Sequence, residues 1–283
     1  MSDIVCVGKF DALHRGHRAL VEAARPLGMP TLLRFTGMPE ALGWAPRRPL
    51  VAETDRPRVL DQWRAQERLL PFDAIRACTP PDFVAVLAQR LGAAGLVIGE
   101  DFRGGPGRSS DAWAFAAAAR DRGWQPVVVP LLTSTTGAIS SSRIRSLLAE
   151  GQVGEANQLL GRSYRLGGPV VTGDGRGRQI GVPTANVQVE EVLLPRGGVY
   201  AAWADIDGRR YRAAVNLGTA PTVGEHRPQT CEAHLLDFSG DLYGRFLALD
   251  LVARLRDEVR FPSLAALVAQ IQADLALARS TLA

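Results

Sequence analysis

The sequence predicts two domains in series: an α/β domain on a parallel, Rossmann-like sheet, then a small antiparallel β-barrel that ends in a helix. Three observations predict it. Over the first half, short apolar runs alternate with helical patterns, the mark of strand–helix–strand units. From Tyr164 onward, β patterns are punctuated by Gly and Pro, and one helical stretch closes the chain. The length, 283 residues, suits two domains at about 150 residues each.

Ile4–Gly8 reads as a buried strand, followed by a helix over His17–Ala24 and a second strand over Thr31–Phe35. Arg58–Leu70 carries Leu60, Trp63, Leu69 and Leu70 at helical spacing, and Ala74–Ala77 is a short strand candidate. Asp82–Leu91 reads as a helix, Gly95–Ile98 as a strand, Asp111–Arg120 as an alanine-rich helix and Val127–Leu132 as a strand. Two short helices follow, Ser142–Glu150 and Gly154–Leu160. Strands are then predicted over Tyr164–Thr172, Val199–Ile206, Tyr211–Leu217, Cys231–Asp237 and Phe246–Leu255, with a last helix over Ser263–Ala278. Turn signals at Asp207-Gly208 and Ser239-Gly240 divide the strands. The boundary falls near Gly161–Ser163, giving domains 1–161 and 162–283.

Hydrophobic residues make up 46% and charged residues 22%, which excludes a disordered or collagen-like chain. No apolar run approaches the roughly 18 residues of a membrane span, and the first residues lack the basic start of a signal peptide. Cys6, Cys78 and Cys231 are far apart and form no CxxC pair, so neither a disulfide framework nor a zinc site is expected. A cytoplasmic protein fits best. The net charge of +4 suits an anionic ligand, but no basic helix or aromatic stacking platform points to nucleic acid. Lys9 is the only lysine in the chain.

Lys9 lies in the loop Gly8-Lys9-Phe10-Asp11-Ala12-Leu13-His14-Arg15-Gly16-His17, which follows a strand and opens a helix. Helix N-termini offer free N–H groups and partial positive charge. Two imidazoles three residues apart at such an end can grip phosphate oxygens, and Gly8 and Gly16 permit close approach. A second helix start, Ile139-Ser140-Ser141-Ser142-Arg143-Ile144-Arg145, reads alone as a cap and beside the first loop as the other half of a triphosphate clamp. In the second domain, Gly173-Asp174-Gly175-Arg176-Gly177-Arg178-Gln179-Ile180-Gly181-Val182-Pro183-Thr184-Ala185-Asn186 is glycine-rich and suited to phosphates. Its Thr184 hydroxyl and Asn186 carbonyl are hard oxygen ligands of the kind Mg²⁺ takes.

The first domain resembles the HxGH nucleotidyltransferases, matched by His14-Arg15-Gly16-His17, and within them the bacterial FAD synthetase module, with further matches at Gly99–Ser110 and Ile139–Arg145. It departs at Lys9 (usually Asn), at Ala12 (often Gly), at Gly104 (a second Phe) and at Phe35-Thr36-Gly37-Met38-Pro39, which lacks the family's histidine. The second domain resembles the riboflavin kinase module, whose mark is a Gly-rich loop followed by Pro-Thr-Ala-Asn. That likeness continues through Gly198–Tyr200, Asn216–Thr222, Glu232–Phe238, Asp241–Gly244 and Arg256–Glu258, and departs at Ala220, often Arg. The whole chain thus resembles the bifunctional riboflavin kinase/FAD synthetase family.

The resemblance implies that the barrel phosphorylates riboflavin to FMN with ATP and Mg²⁺, with Glu232 as base and Thr184 and Asn186 on the metal. The first domain would adenylylate FMN to FAD and release pyrophosphate. His14, His17, Ser140, Ser141 and Arg145 would hold the triphosphate, assisted by Gly8, Phe10 and Asp11, with Asp101, Phe102 and Arg103 toward the flavin or adenine. Gly173, Gly175, Gly177, Gly181 and Pro183 would shape the kinase loop. His234 reads as structural or peripheral. Two alternatives stay open: a riboflavin kinase with a decayed or re-purposed first domain, and a non-catalytic flavin-binding regulator. The oligomeric state is not readable from the sequence.

Overall fold

The computed structural model describes residues 2–135, 137–173, 177, 181–219 and 229–283. Gly175, its neighbours 174, 176 and 178–180, and residues 220–222 lie outside them. By its contacts the chain falls into two compact units, Met1–Ser141 and Ser142–Ala283.

In the first unit, β1 (Asp3–Val7) is followed by α1 (Arg15–Ala24), β2 (Met29–Thr36), a short α2 (Met38–Ala41), α3 (Arg56–Gln62) and β3 (Gln66–Pro71). Then come α4 (Pro80–Leu91), β4 (Ala93–Gly99), the small hairpin β5 (Arg103–Gly104) and β6 (Ser110–Asp111), α5 (Ala112–Asp121), β7 (Val127–Val129), and a second hairpin, β8 (Thr133–Ser134) with β9 (Gly137–Ala138). The main sheet is parallel, in the order β3-β2-β1-β4-β7.

Side-chain alternation along β1 explains the two layers of helices. Ile4 and Cys6 join a core with Leu20, Val21 and Ala24 of α1 and Val59 and Leu60 of α3. Val5 and Val7 join the opposite core with Phe83, Val84 and Leu87 of α4 and Ala112, Phe115 and Ala119 of α5. Strand order reverses at β1, whose neighbours are β2 on one side and β4 on the other. Ligands of such sheets bind outside the carboxyl ends of the strands at this switch point. The segments leaving those ends are the loop from Gly8 and the turn after Gly99.

Three local expectations are corrected. Arg58–Leu70 is not one helix: α3 ends at Gln62, Arg64 takes φ +47° and the chain re-enters the sheet as β3. Ala74–Ala77 forms no strand, because a 3₁₀ turn over Phe72–Ala74 occupies the connection. The strand read over Val127–Leu132 pairs with β4 only over Val127–Val129.

α6 (Ser141–Glu150) starts at the last residue of the first unit, and α7 (Val153–Leu160) follows in the second. A closed barrel follows, β10 (Tyr164–Val171), β11 (Ala185–Val187), β12 (Gly198–Ile206), β13 (Arg209–Thr219), β14 (Gln229–Leu235) and β15 (Phe246–Arg256), ordered β10-β11-β14-β13-β12-β15 with every pair antiparallel. α8 (Leu264–Thr281) starts at a Ser263 cap, whose hydroxyl accepts the Ala266 N–H, and sets Ala278 against Ala201 and Ala214. The buried Asp274 of α8 accepts Nε and Nη2 of Arg256 at the end of β15.

Candidate active sites

In the first unit the two histidines of the HxGH segment meet at the entry of α1. His14 is the N-cap residue (φ −85°, ψ 175°), and its Nδ1 accepts the His17 N–H at 3.3 Å. A neutral imidazole that accepts at Nδ1 carries its proton on Nε2, so Nε2–H is its donor. His17, one turn on, stacks on His14 with ring centroids 3.7 Å apart and planes 13° off parallel. Gly16 between them suits this stack, since a Cβ there would come within 3.1 Å of the His14 ring and crowd it. The arrangement sets imidazole donors at a helix N-terminus, which suits charge developing on a phosphate.

Phe10 departs from its expected place beside a ligand. Its ring is 0% exposed and packs edge-on to His17 at 4.9 Å, so it lies beneath the site. Gly8 leaves room for that ring, because a Cβ there would come within 3.1 Å of it. Asp11 accepts the Leu50 N–H at 3.2 Å. The exposed Lys9 holds its ammonium 4.4 Å from the Trp44 ring centroid. Partial withdrawal from water, then the Arg108 and Arg47 cations, lower its pKa from the ordinary lysine value.

After β4, Asp101 is exposed, and the Arg103 guanidinium pairs with Asp111 at 3.4 Å. Phe102 turns inward onto Phe115, ring centroids 5.4 Å apart. Gly104 leaves no gap, as a Cβ there would fall 2.8 Å from Phe102 and 2.9 Å from Phe115. Ile139 is buried, and its carbonyl oxygen lies 4.0 Å from where a Gly16 Cβ would sit, which brings the Ser140–Ser141 helix start to the first loop. Arg145 lies one turn along α6 from Ser141.

In the second unit the register builds the site. Asn186 of β11 pairs with Glu232 of β14, and Glu232 pairs on its other side with Asn216 of β13. Their chain neighbours Ala185, Val187, Cys231, Ala233, Val215 and Leu217 are buried. The Asn–Glu–Asn row therefore lies on the barrel's outer face. The Thr184 hydroxyl donates to Glu232 at 3.5 Å.

The glycines fit closely around this row. A Cβ on Gly173 would fall 2.1 Å from Asn186 Nδ2, and one on Gly177 2.4 Å from the Val182 carbonyl oxygen and 3.2 Å from Thr184 Oγ1. Gly181 takes φ +75°, a left-handed turn suited to glycine. His234 donates Nδ1–H to the Pro183 carbonyl at 2.7 Å and so ties down the strap that carries Thr184.

Strand register also sets Asn216 beside Glu232, a neighbour that no local sequence pattern reveals. The buried Arg56 and its partner Glu67 carried no sequence signal. The cysteines are free, and burial pushes Cys6 and Cys231 up to about 12, so neither is a ready nucleophile. Among the described residues there is no group of three or more His, Cys, Asp or Glu fit to hold a metal. No helix of the described residues is long and apolar enough to cross a membrane.

The family model described as FAD synthetase matches residues 1–143, and that described as riboflavin kinase matches 160–282. A relative named bifunctional riboflavin kinase/FMN adenylyltransferase from Pseudomonas fluorescens is 34% identical, over 98% of this chain and 92% of its own. A relative of the same name from Escherichia coli K12 is 35% identical over 98% and 91%. A solved structure described as a macrolide-efflux protein from Streptococcus pneumoniae is similar with a TM-score of 0.86 and 30% identity, over 98% of this chain and 94% of that one. Two family models matched in series, and relatives aligned along nearly their whole length, make this chain a member of the bifunctional riboflavin kinase/FMN adenylyltransferase family.

Proposed function

We propose that the chain converts riboflavin to FMN on its barrel and FMN to FAD in its first unit, with ATP as co-substrate in both steps. The kinase half is carried by the meeting of Thr184, Asn186 and Glu232 on one barrel face. Glu232 takes the proton of the ribityl 5′-hydroxyl while that oxygen attacks the γ-phosphorus, and the bond from the γ-phosphorus to the bridging oxygen breaks to release ADP. Mg²⁺ fits here: a hydroxyl oxygen at Thr184 and an amide oxygen at Asn186 would hold it, leaving the rest of its shell to ATP phosphates and water. When bound, it supplies positive charge to the phosphoryl oxygens.

The adenylyl half is carried by the stacked His14–His17 pair at the start of α1. An FMN phosphate oxygen attacks the α-phosphorus of ATP, and the bond to the β-bridging oxygen breaks, with pyrophosphate leaving. The imidazole N–H groups and the helix N-terminus stabilise the charge in flight. Ser140 and Ser141 complete the grip on the triphosphate, and Asp101 and Arg103 face the flavin or adenine. The protein acts on small molecules, in the cytoplasm.

The test is to incubate the protein with riboflavin, ATP and Mg²⁺ and separate riboflavin, FMN and FAD by chromatography. FMN and then FAD are expected. FMN without FAD would leave a kinase alone, and neither product would leave a flavin-binding protein.

A further inference from the structure

Two residues of the α1 entry loop, Phe10 at φ +48° and Leu13 at φ +47°, sit in the left-handed region. Non-glycine residues rarely take that conformation, and it persists where surroundings hold it in place. The hold on Phe10 comes from far along the chain. Arg56, at the start of α3, is 4% exposed, and its Nη1 donates to the Phe10 carbonyl at 3.0 Å. Its Nη2 pairs with Glu67 of β3. Glu67 is itself 3.3 Å from Arg34 Nε, and Arg34 forks onto Glu53 at 2.6 and 3.0 Å. The guanidinium is thus fixed by the sheet on one side and grips the loop on the other. Asp11, bound to the Leu50 N–H, ties the loop to the same 50–56 segment.

We propose that Arg56 is a positioning residue for adenylyl transfer, acting through Phe10 on the His14–His17 pair. This role rests on the functional reading above for the reaction, and the linkage is one of geometry. The Phe10 ring, confined by Gly8 on one side, has its edge against His17, and His17 stacks on His14. A shift of the Phe10 backbone moves the ring that sets His17. Displacements of about 1 Å in a positioned group cost on the order of 10²-fold in rate. Lysine does not replace this guanidinium, because a point charge cannot fork onto a carbonyl and a carboxylate together.

The test uses the full chain as Arg56→Met and Arg56→Lys. For FMN to FAD, kcat is expected to fall on the order of 10²-fold in Arg56→Met with KM for ATP little changed, and by less in Arg56→Lys, while riboflavin phosphorylation holds. The chain has only 4 histidines, so ¹⁵N-edited spectra resolve their imidazoles. The His17 signals are expected to move in both variants, since they lie in the ring current of Phe10, and those of His234 to stay. If Arg56→Met does not give a cooperative melt, Arg56→Lys, which keeps Glu67 paired, decides by the same spectra. Imidazole signals that coincide with wild type in a folded variant, or an unchanged kcat, would overturn the proposal. A wild type that makes no FAD would overturn the functional reading instead, and the spectra would still decide the linkage.

Discussion

Thr184 donates its hydroxyl to Glu232 from 48 residues away in sequence, across a 3.5 Å gap that β11 and β14 create by pairing Asn186 with Glu232. The carboxylate is flanked by a hydroxyl and two amides, a geometry that suits the proposed role of taking a proton from an incoming alcohol. Glu232→Gln keeps the shape and removes the proposed base. FMN formation is expected to fall by about 10²–10⁴, with conversion of supplied FMN to FAD unchanged. Both rates are read by chromatography on one preparation, and loss of both in a folded variant would sink the two-site reading.

The His14–His17 stack makes the converse prediction. His14→Ala combined with His17→Ala removes the imidazole donors at the α1 entry and leaves the barrel untouched. One well-placed donor is worth about 10²–10³ in rate, so FAD formation is expected to drop by at least that factor while the kinase rate holds. Pyrophosphate release from FMN and ATP is the measurement, and a double variant that still releases it at the wild-type rate would remove both histidines from the mechanism.

Gly173→Ala tests the fit around the proposed metal ligands. The new Cβ would fall 2.1 Å from Asn186 Nδ2, so the amide must move. The apparent KM for Mg–ATP in the riboflavin step is expected to rise several-fold, on the order of 1 kcal/mol of binding, and added Mg²⁺ to restore part of the rate. FAD formation from FMN serves as the internal control. A variant with wild-type KM would show that Asn186 does not bear on the metal.

The layered sheet and the barrel are legible in the sequence because each is written in local pattern, such as Ile4 and Cys6 alternating with Val5 and Val7. What was not legible depends on distant partners. Leu69 and Leu70 continue the helical spacing of Leu60 and Trp63, but the left-handed Arg64 breaks the helix and β2 recruits them into β3. Ala185–Val187 is too short to show a strand period, yet it puts Asn186 beside Glu232. Phe10 reads as a ligand contact from its place in the loop before His14, whereas the structure buries its ring edge-on against His17. Arg56 and Phe10 meet across 46 residues, and no motif spans that separation.

Lys9 allows a test that no other residue of the chain offers. As the only lysine, it shares amine reagents with the N-terminal amine alone. Its ammonium lies over Trp44, a contact worth about 0.5–1 kcal/mol at an exposed site. Beside that contact, partial desolvation and then the Arg108 and Arg47 cations disfavour the charged form. The neutral amine is therefore reached at lower pH than in an ordinary lysine. Acylation of Lys9, followed by peptide mass mapping, is expected to be half-maximal below the ordinary value of 10.5. The same crowd of cations would welcome an anion, and ATP bound at the α1 entry would restore the charged form. ATP is then expected to slow Lys9 labelling and to shift its midpoint upward, and Lys9→Asn to raise the apparent KM for ATP in the FMN step alone. Labelling that ATP leaves untouched, with unchanged kinetics in Lys9→Asn, would assign the ammonium to Trp44 and take it out of nucleotide binding.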